Sequence, residues 1–182
     1  MKSNFLKNQN PYSKNEYINS LTKYYSNKKS ALYERFLIIH NFIKKKNIKS
    51  VLDAGCADGS LLIKLSINKN IQLYGCDINL PTINQKKLKK LKIYTFKQDL
   101  TNLKVKKKFD LILCFGVLQF EKNPIKIIRN LCKNLSTNGY LIIATQNPFF
   151  NYVTFNSISK NFFKGIDELR NNKFKKLSKY FL

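Results

Sequence analysis

Three acids in this chain fall where a short apolar run ends: Asp53, Asp77 and Asp99. The first sits in Val51-Leu52-Asp53-Ala54-Gly55-Cys56-Ala57-Asp58-Gly59-Ser60-Leu61-Leu62, which reads as a strand, a tight small-residue turn and the start of a helix. Gly55 and Gly59 let the backbone turn sharply and lie close to a ligand. The unpaired amides of the new helix are expected to aim at the same spot and favour negative charge there. The glycine spacing is G-x-A-x-G, with Ala57 in the middle and Ser60 after the last glycine, so the dinucleotide pattern G-x-G-x-x-G is not met. No G-x-x-x-x-G-K-[ST] run exists either, which excludes a P-loop.

The following segments repeat the strand-then-acid arrangement. Residues 71–79 form an apolar run through Asp77, 24 positions after Asp53. That is close to the spacing at which a βαβ unit sets a carboxylate under a ribose. A charged acceptor strengthens hydrogen bonds from ribose hydroxyls. Residues 93–100 give a third strand ending at Asp99 and Leu100, and Phe109–Gly116 a fourth. A fifth strand follows a turn at Asn138-Gly139, over 140–145. Apolar spacing predicts helices over 15–27, 30–46, 59–68, 80–90 and 123–135.

Together these segments resemble the class I S-adenosylmethionine (SAM) dependent methyltransferases, whose first motif carries an acid at a strand end and then G-x-G-x-G. The resemblance runs from about residue 48 to 150, and departs from the motif at Ala57. It implies an α/β, Rossmann-like fold with a mostly parallel sheet in the order 3-2-1-4-5 and helices on both faces. It also implies a SAM site formed by Asp53, Gly55, Cys56, Ala57, Gly59, Asp77, Ile78, Asp99, Leu100, Cys114 and Phe115. Asp77 would meet the ribose and Asp99 the adenine amino group, with Leu100 against the ring. The segment Val117-Leu118-Gln119-Phe120 would lie beside the methionine moiety. On the acceptor side the candidates are Gln119, Phe120, Glu121, Asn147, Tyr24 and Tyr25, with no catalytic base singled out.

The expected organisation is a helical cap over 1–47, a SAM-binding core over 48–146 and a helical segment over 147–182, all in one domain. The family's antiparallel hairpin after strand five has no counterpart in residues 150–182, where aromatics such as Phe155, Phe162, Phe174 and Phe181 recur at helical spacing. The hairpin is either missing or replaced by helices, which leaves activity open to question.

Composition bounds the rest. At 182 residues and 43% hydrophobic, the chain can bury one sizeable core. No apolar run is long enough for a membrane span and no secretory signal is visible. Cys56, Cys76, Cys114 and Cys132 form no C-x-x-C pair, which suits reduced, inert thiols in a cytoplasmic protein and no metal site. The single histidine, His40, falls in an apolar helical pattern and is expected to pack. The net charge of +24 raises the question of a nucleic-acid partner. Yet Lys and Arg are spread along the chain, 11 in residues 1–50 and 8 in each of the next two fifties, and only Arg35, Arg129 and Arg170 are arginines. With Asn, Ile, Phe and Tyr abundant as well, the pattern matches drift in an AT-rich genome. A small-molecule acceptor, such as a sugar or lipid precursor, is therefore the leading expectation. An RNA or protein methyltransferase using the basic surface is the first alternative, and a non-catalytic or truncated SAM-binding protein the second. A monomer and a dimer are both compatible with the sequence.

Overall fold

The computed structural model describes residues 15–80 and 82–145, with the side chains of 15–20 excepted. The elements run α1 (Asn15–Ser26), α2 (Ala31–Lys45), β1 (Ser50–Ala54), α3 (Ser60–Leu65), β2 (Gln72–Asp77), α4 (Gln85–Lys90), β3 (Tyr94–Lys97), β4 (Phe109–Phe115), α5 (Pro124–Lys133) and β5 (Leu135–Ala144). Five strands pair in the order β3-β2-β1-β4-β5, all parallel. This is the expected Rossmann-like sheet. The order reverses between β1 and β4, and in such sheets the crevice at the carboxyl ends of the strands takes the ligand.

The sheet is buried on both faces at its centre. All five residues of β1 and most of β4 are buried, as an apolar strand under two helical layers requires. Side chains alternate between two cores. Val51, Leu111 and Leu113 face one with Phe36, Ile39 and Ile43 of α2 and Leu61, Leu62 and Leu65 around α3. Leu52, Ile112 and Cys114 face the other with Ile127 and Leu131 of α5. The α2 stripe is the i, i+3, i+7 pattern legible in the sequence. Ser30 caps that helix by accepting from the Tyr33 N–H at 3.1 Å. Asn123 caps α5 in the same way, ahead of Pro124 at the first helical position.

Helix ends are shorter than the apolar spacing suggests. The predicted helix over 59–68 stops at Leu65, where Ser66 turns, and the one over 80–90 begins only at Gln85. The fifth strand differs more. It starts at Leu135, not 140, and the Asn138-Gly139 turn is a bulge inside it. Phe109 pairs with Leu135 and Leu111 with Tyr140, so Ser136–Gly139 loop out between the two pairs. A Cβ on Gly139 would stand 2.8 Å from the Phe109 carbonyl oxygen, and this close approach explains the glycine. The starts of β1, β4 and β5 are tied by Asp110, whose carboxylate accepts from the Lys49 and Ser50 N–H groups and the Ser50 and Ser136 hydroxyls. Burial alone would raise the pKa of this acid, but these bonds outweigh it and hold the carboxyl below its usual range.

The crossover from β3 to β4 holds a single 3-10 turn at Leu100–Asn102 and an extended segment, with no α-helix. The expected helical segment over 147–182, Asn147 and the packing aromatics lie outside the described residues. Among the described residues no helix is long and apolar enough to cross a membrane.

Candidate functional site

The loop between β1 and α3 is shaped by three residues with positive φ: Gly55 at 90°, Ala57 at 46° and Gly59 at 75°. It is pinned to the neighbouring strand, because the Gly55 and Cys56 N–H groups both donate to the Cys76 carbonyl, at 2.7 and 3.1 Å. Asp77, at the end of β2, holds the apex: its Oδ2 accepts from the Ala57 N–H at 2.9 Å and its Oδ1 from the Asn79 N–H at 2.9 Å. Each oxygen keeps a second lone pair for a ligand. Gly55 has no room for a side chain, since a Cβ there would lie 2.2 Å from Val117 Cγ2.

Ala57 tolerates its left-handed conformation at a cost of about 1–2 kcal/mol. Glycine would remove that strain and add about 0.5–1 kcal/mol of unfolded-chain entropy. Ala57→Gly is therefore expected to leave thermal stability equal or slightly raised, and any ligand affinity equal or better. A clear drop in melting temperature by calorimetry would contradict this loop geometry.

The Ser60 amide that opens α3 is already paired, where the sequence led us to expect it free for a ligand. Asp58, 2% exposed, already sits there. Its Oδ1 accepts from the Ser60 N–H at 3.0 Å, and its Oδ2 from the Ser60 hydroxyl at 2.5 Å and Asn84 Nδ2 at 3.1 Å. Thr22 of α1 closes the network through the Ser60 hydroxyl at 2.7 Å. Burial raises the Asp58 pKa in spite of these bonds. Asp58 thus docks α1 and α4 on the loop, a role that single-residue reading of the motif did not reveal.

Asp53 is different. It is 4% exposed, and none of the hydrogen bonds among the described residues engages its carboxylate. Burial, then the negative Asp77, push its pKa up to about 7; Arg35 opposes and Asp58 adds to the rise. Arg35 comes from α2, with its guanidinium carbon 5.0 Å from the centre of the Phe115 ring. The sequence did carry a signal for Arg35: it is one of three arginines among 34 basic residues. Asp53 in β1, Asp77 at the end of β2 and Asp58 on the loop between β1 and α3 thus act on one another, with Arg35 as the cation that offsets Asp53.

The other predicted residues divide. Ile78 stands 58% exposed beside Asp77. Asp99 caps the 3-10 turn, accepting from the Thr101 N–H at 2.7 Å, while Leu100 behind it is buried. Glu121 lies close enough to Asp99 to feel its charge; burial first, then that charge, raise its pKa. It therefore belongs to the Asp99 end of the sheet. Gln119 accepts from the Thr145 hydroxyl at 3.3 Å. Tyr24 is exposed, but Tyr25, expected on the acceptor side, is buried in the α2-side core. Cys56 and Cys114 are buried, and the Cys114 side chain lies in the α5-side core. Burial pushes the Cys114 and Cys76 thiols up to about 12, so they are inert. His40 packs against Phe36, and its Nδ1 accepts from Asn68 Nδ2 at 2.9 Å. Among the described residues no cluster of His, Cys, Asp or Glu can hold a metal ion.

Comparison with known proteins bears on the family and the fold. A family model described as a methyltransferase domain matches residues 45–178. A tRNA U34 carboxymethyltransferase of Campylobacter jejuni subsp. doylei is 29% identical over 119 residues, which are 62% of this chain and 40% of that protein. The chain therefore spans about two fifths of the length of the curated relatives it matches. Among solved structures, an S-adenosylmethionine-dependent methyltransferase from Clostridium acetobutylicum aligns with a TM-score of 0.56 at 22% identity, over 65% of this chain and 51% of that one. The plantazolicin methyltransferase BpumL, in complex with a pentazolic desmethyl analogue and SAH, aligns with a TM-score of 0.54 at 21% identity, over 85% and 56%.

Proposed function

The chain belongs to the methyltransferase domain family, and on that premise we propose that it binds SAM at the Gly55–Gly59 loop and transfers its one-carbon group to an acceptor. Asp53 carries the reading. Asp53 is only 4% exposed and takes part in no hydrogen bond among the described residues, yet its oxygens are not sealed from solvent; beside two further carboxylates, it suits a cation entering from the site. SAM brings two positive centres, a sulfonium and an ammonium. Asp53 would meet the ammonium, and Arg35 the carboxylate of the same methionine moiety. Asp77 would take the ribose hydroxyls, and Asp99 the adenine amino group, with Ile78 and Leu100 flanking the ring. The backbone of Gly55, Cys56, Ala57 and Gly59 would run beneath.

The chemistry SAM supplies when bound is an electrophilic carbon on a sulfonium, open to in-line attack. The protein's part is alignment and exclusion of water. Phe115, Val117 and the Arg35 stem wall the methionine end. Gln119 stands beside them as a polar group able to orient an acceptor. A general base is required only where the acceptor must lose a proton.

Two acceptor classes have support. The curated relatives are named for a tRNA nucleotide, and the +24 charge suits a polyanion; both favour RNA. The second reading is a small molecule, supported by the solved complex of BpumL with a desmethyl substrate analogue. Calorimetric titration with SAM tests the common core of both. Asp77→Ala is expected to weaken SAM binding by about 1.5–3 kcal/mol, the scale of hydrogen bonds to a charged group. Unchanged affinity in a folded variant would overturn the assignment. Labelled SAM offered with tRNA or with a metabolite extract then separates the two classes, and binding without turnover identifies a non-catalytic domain.

A further inference from the structure

The opposite end of the sheet carries a second constellation. Tyr74 and Tyr94 face each other across β2 and β3, with rings stacked 5.2 Å apart at 20°. Tyr74 is braced from behind by the fully buried Phe109, 5.3 Å away edge-on, so the stack is anchored in the core. Tyr94 is 60% exposed, because the helix-free crossover after β3 leaves this face uncovered. Lys107 lies over Tyr74 at 5.1 Å from the ring centre, and its Nζ donates to Gln72 Oε1 at 3.0 Å. The same crossover and the end of α5 form an open cleft of about 410 Å³ ringed by Lys104, Lys106, Lys108 and Lys133, with no acid in its lining. The nearby Asp110 is consumed by its four hydrogen bonds to β1 and β5.

An exposed, rigidly backed aromatic ring, with Lys107 over its stacking partner and a lysine-rimmed cleft on the same crossover, supplies both halves of single-strand recognition. The ring stacks a base and the ammonium groups take phosphates. We propose that this face binds a single-stranded stretch of RNA, with a base on Tyr94 and its phosphates in the lysine cleft. The proposal rests on the RNA reading of the acceptor and gives that RNA an anchor outside the SAM loop. From Tyr94 to Lys97 the strand rises about 10 Å toward the Asp99 end, so a chain of a few nucleotides spans from this anchor to the sheet's ligand edge.

The test is fluorescence anisotropy of the full chain with a fluorescein-labelled twelve-nucleotide oligoadenylate, without SAM, between 50 and 200 mM KCl. Tyr94→Ala is expected to weaken binding about 5- to 100-fold at fixed salt, the range for loss of one stacked base, and to leave the salt dependence unchanged. The double variant Lys104→Gln, Lys106→Gln is expected to lower the slope of log affinity against log salt by about 1 to 1.5. Tyr140→Ala, which removes another exposed tyrosine with a lysine above it, is expected to change nothing. Wild-type binding in Tyr94→Ala would overturn the proposal and leave only diffuse attraction to a basic surface. Equal binding of a labelled twelve-residue polyglutamate would overturn it as well. Normal SAM titration of Tyr94→Ala confirms its fold. SAM binding intact with RNA binding insensitive to Tyr94 sinks this proposal alone, whereas Tyr94-dependent RNA binding without SAM binding sinks the transfer reading.

Discussion

Asp53→Asn is expected to make the protein more stable at pH 8 and to erase SAM binding. The carboxyl is raised from 3.8 to about 7 in the folded chain, mainly by burial and then by Asp77. A raised acid stabilises the fold most below its unfolded pKa, and that stability is lost as pH climbs through the folded value. Between pH 5 and 7 the wild type should therefore lose about 1.4 kcal/mol per pH unit relative to Asp53→Asn. Over the full shift the difference reaches about 4 kcal/mol, and it is flat above pH 7. Urea titrations of both proteins at pH 5, 6, 7 and 8 measure it. A parallel pH dependence for the pair would show that Asp53 is ionised without penalty. The same burial explains the ligand effect. A cation seated against Asp53 draws its proton away, so SAM binding at pH 6 should release up to one proton, read by calorimetry in buffers of different ionisation enthalpy. No proton release would remove Asp53 from the site.

Gly55→Ala is expected to cost about 3 kcal/mol of stability and most of the ligand affinity. Two terms add. The φ of 90° is a conformation an L side chain rarely adopts, costing about 1–2 kcal/mol. The new Cβ would also stand 2.2 Å from Val117 Cγ2, and overpacking of this kind costs about 1–3 kcal/mol. The two are separable. Gly55→Ala combined with Val117→Ala relieves the clash and retains the backbone strain, so it should recover part of the loss relative to Val117→Ala alone. An unchanged melting temperature in Gly55→Ala would mean that the loop does not pass under Val117.

Much of this architecture could be read along the chain because it depends on local pattern. Apolar runs closed by Asp53, Asp77 and Asp99 marked strand ends. The spacing of Phe36, Ile39 and Ile43 marked the buried stripe of α2, and the family resemblance implied the sheet order 3-2-1-4-5. The resemblance to a methyltransferase motif lay in the same local residues. The fifth strand was misjudged because Asn138-Gly139 is a turn signal in isolation; only the β4 partner turns those residues into a bulge. Tyr25 was set on the acceptor side because helical periodicity alone does not say which of two adjacent tyrosines meets the core.

What the sequence determined by itself was the set of acids, the glycines that let the loop turn, and the strand ends on which those acids fall. The tertiary structure decided how each acid is used. Three carboxylates of one chemical type end in three environments: Asp77 satisfied by loop amides, Asp58 bonded to the Ser60 amide and hydroxyl that hold α1 on the loop, Asp53 desolvated and pushed up to about 7 by burial and by Asp77. It also set Arg35 near Asp53 across 18 positions of sequence, and stacked Tyr94 on Tyr74 from two strands. The physical reason is common to all of these. Backbone conformation follows from neighbours a few residues away, whereas desolvation, charge coupling and ring stacking depend on groups that the fold brings together from distant parts of the chain.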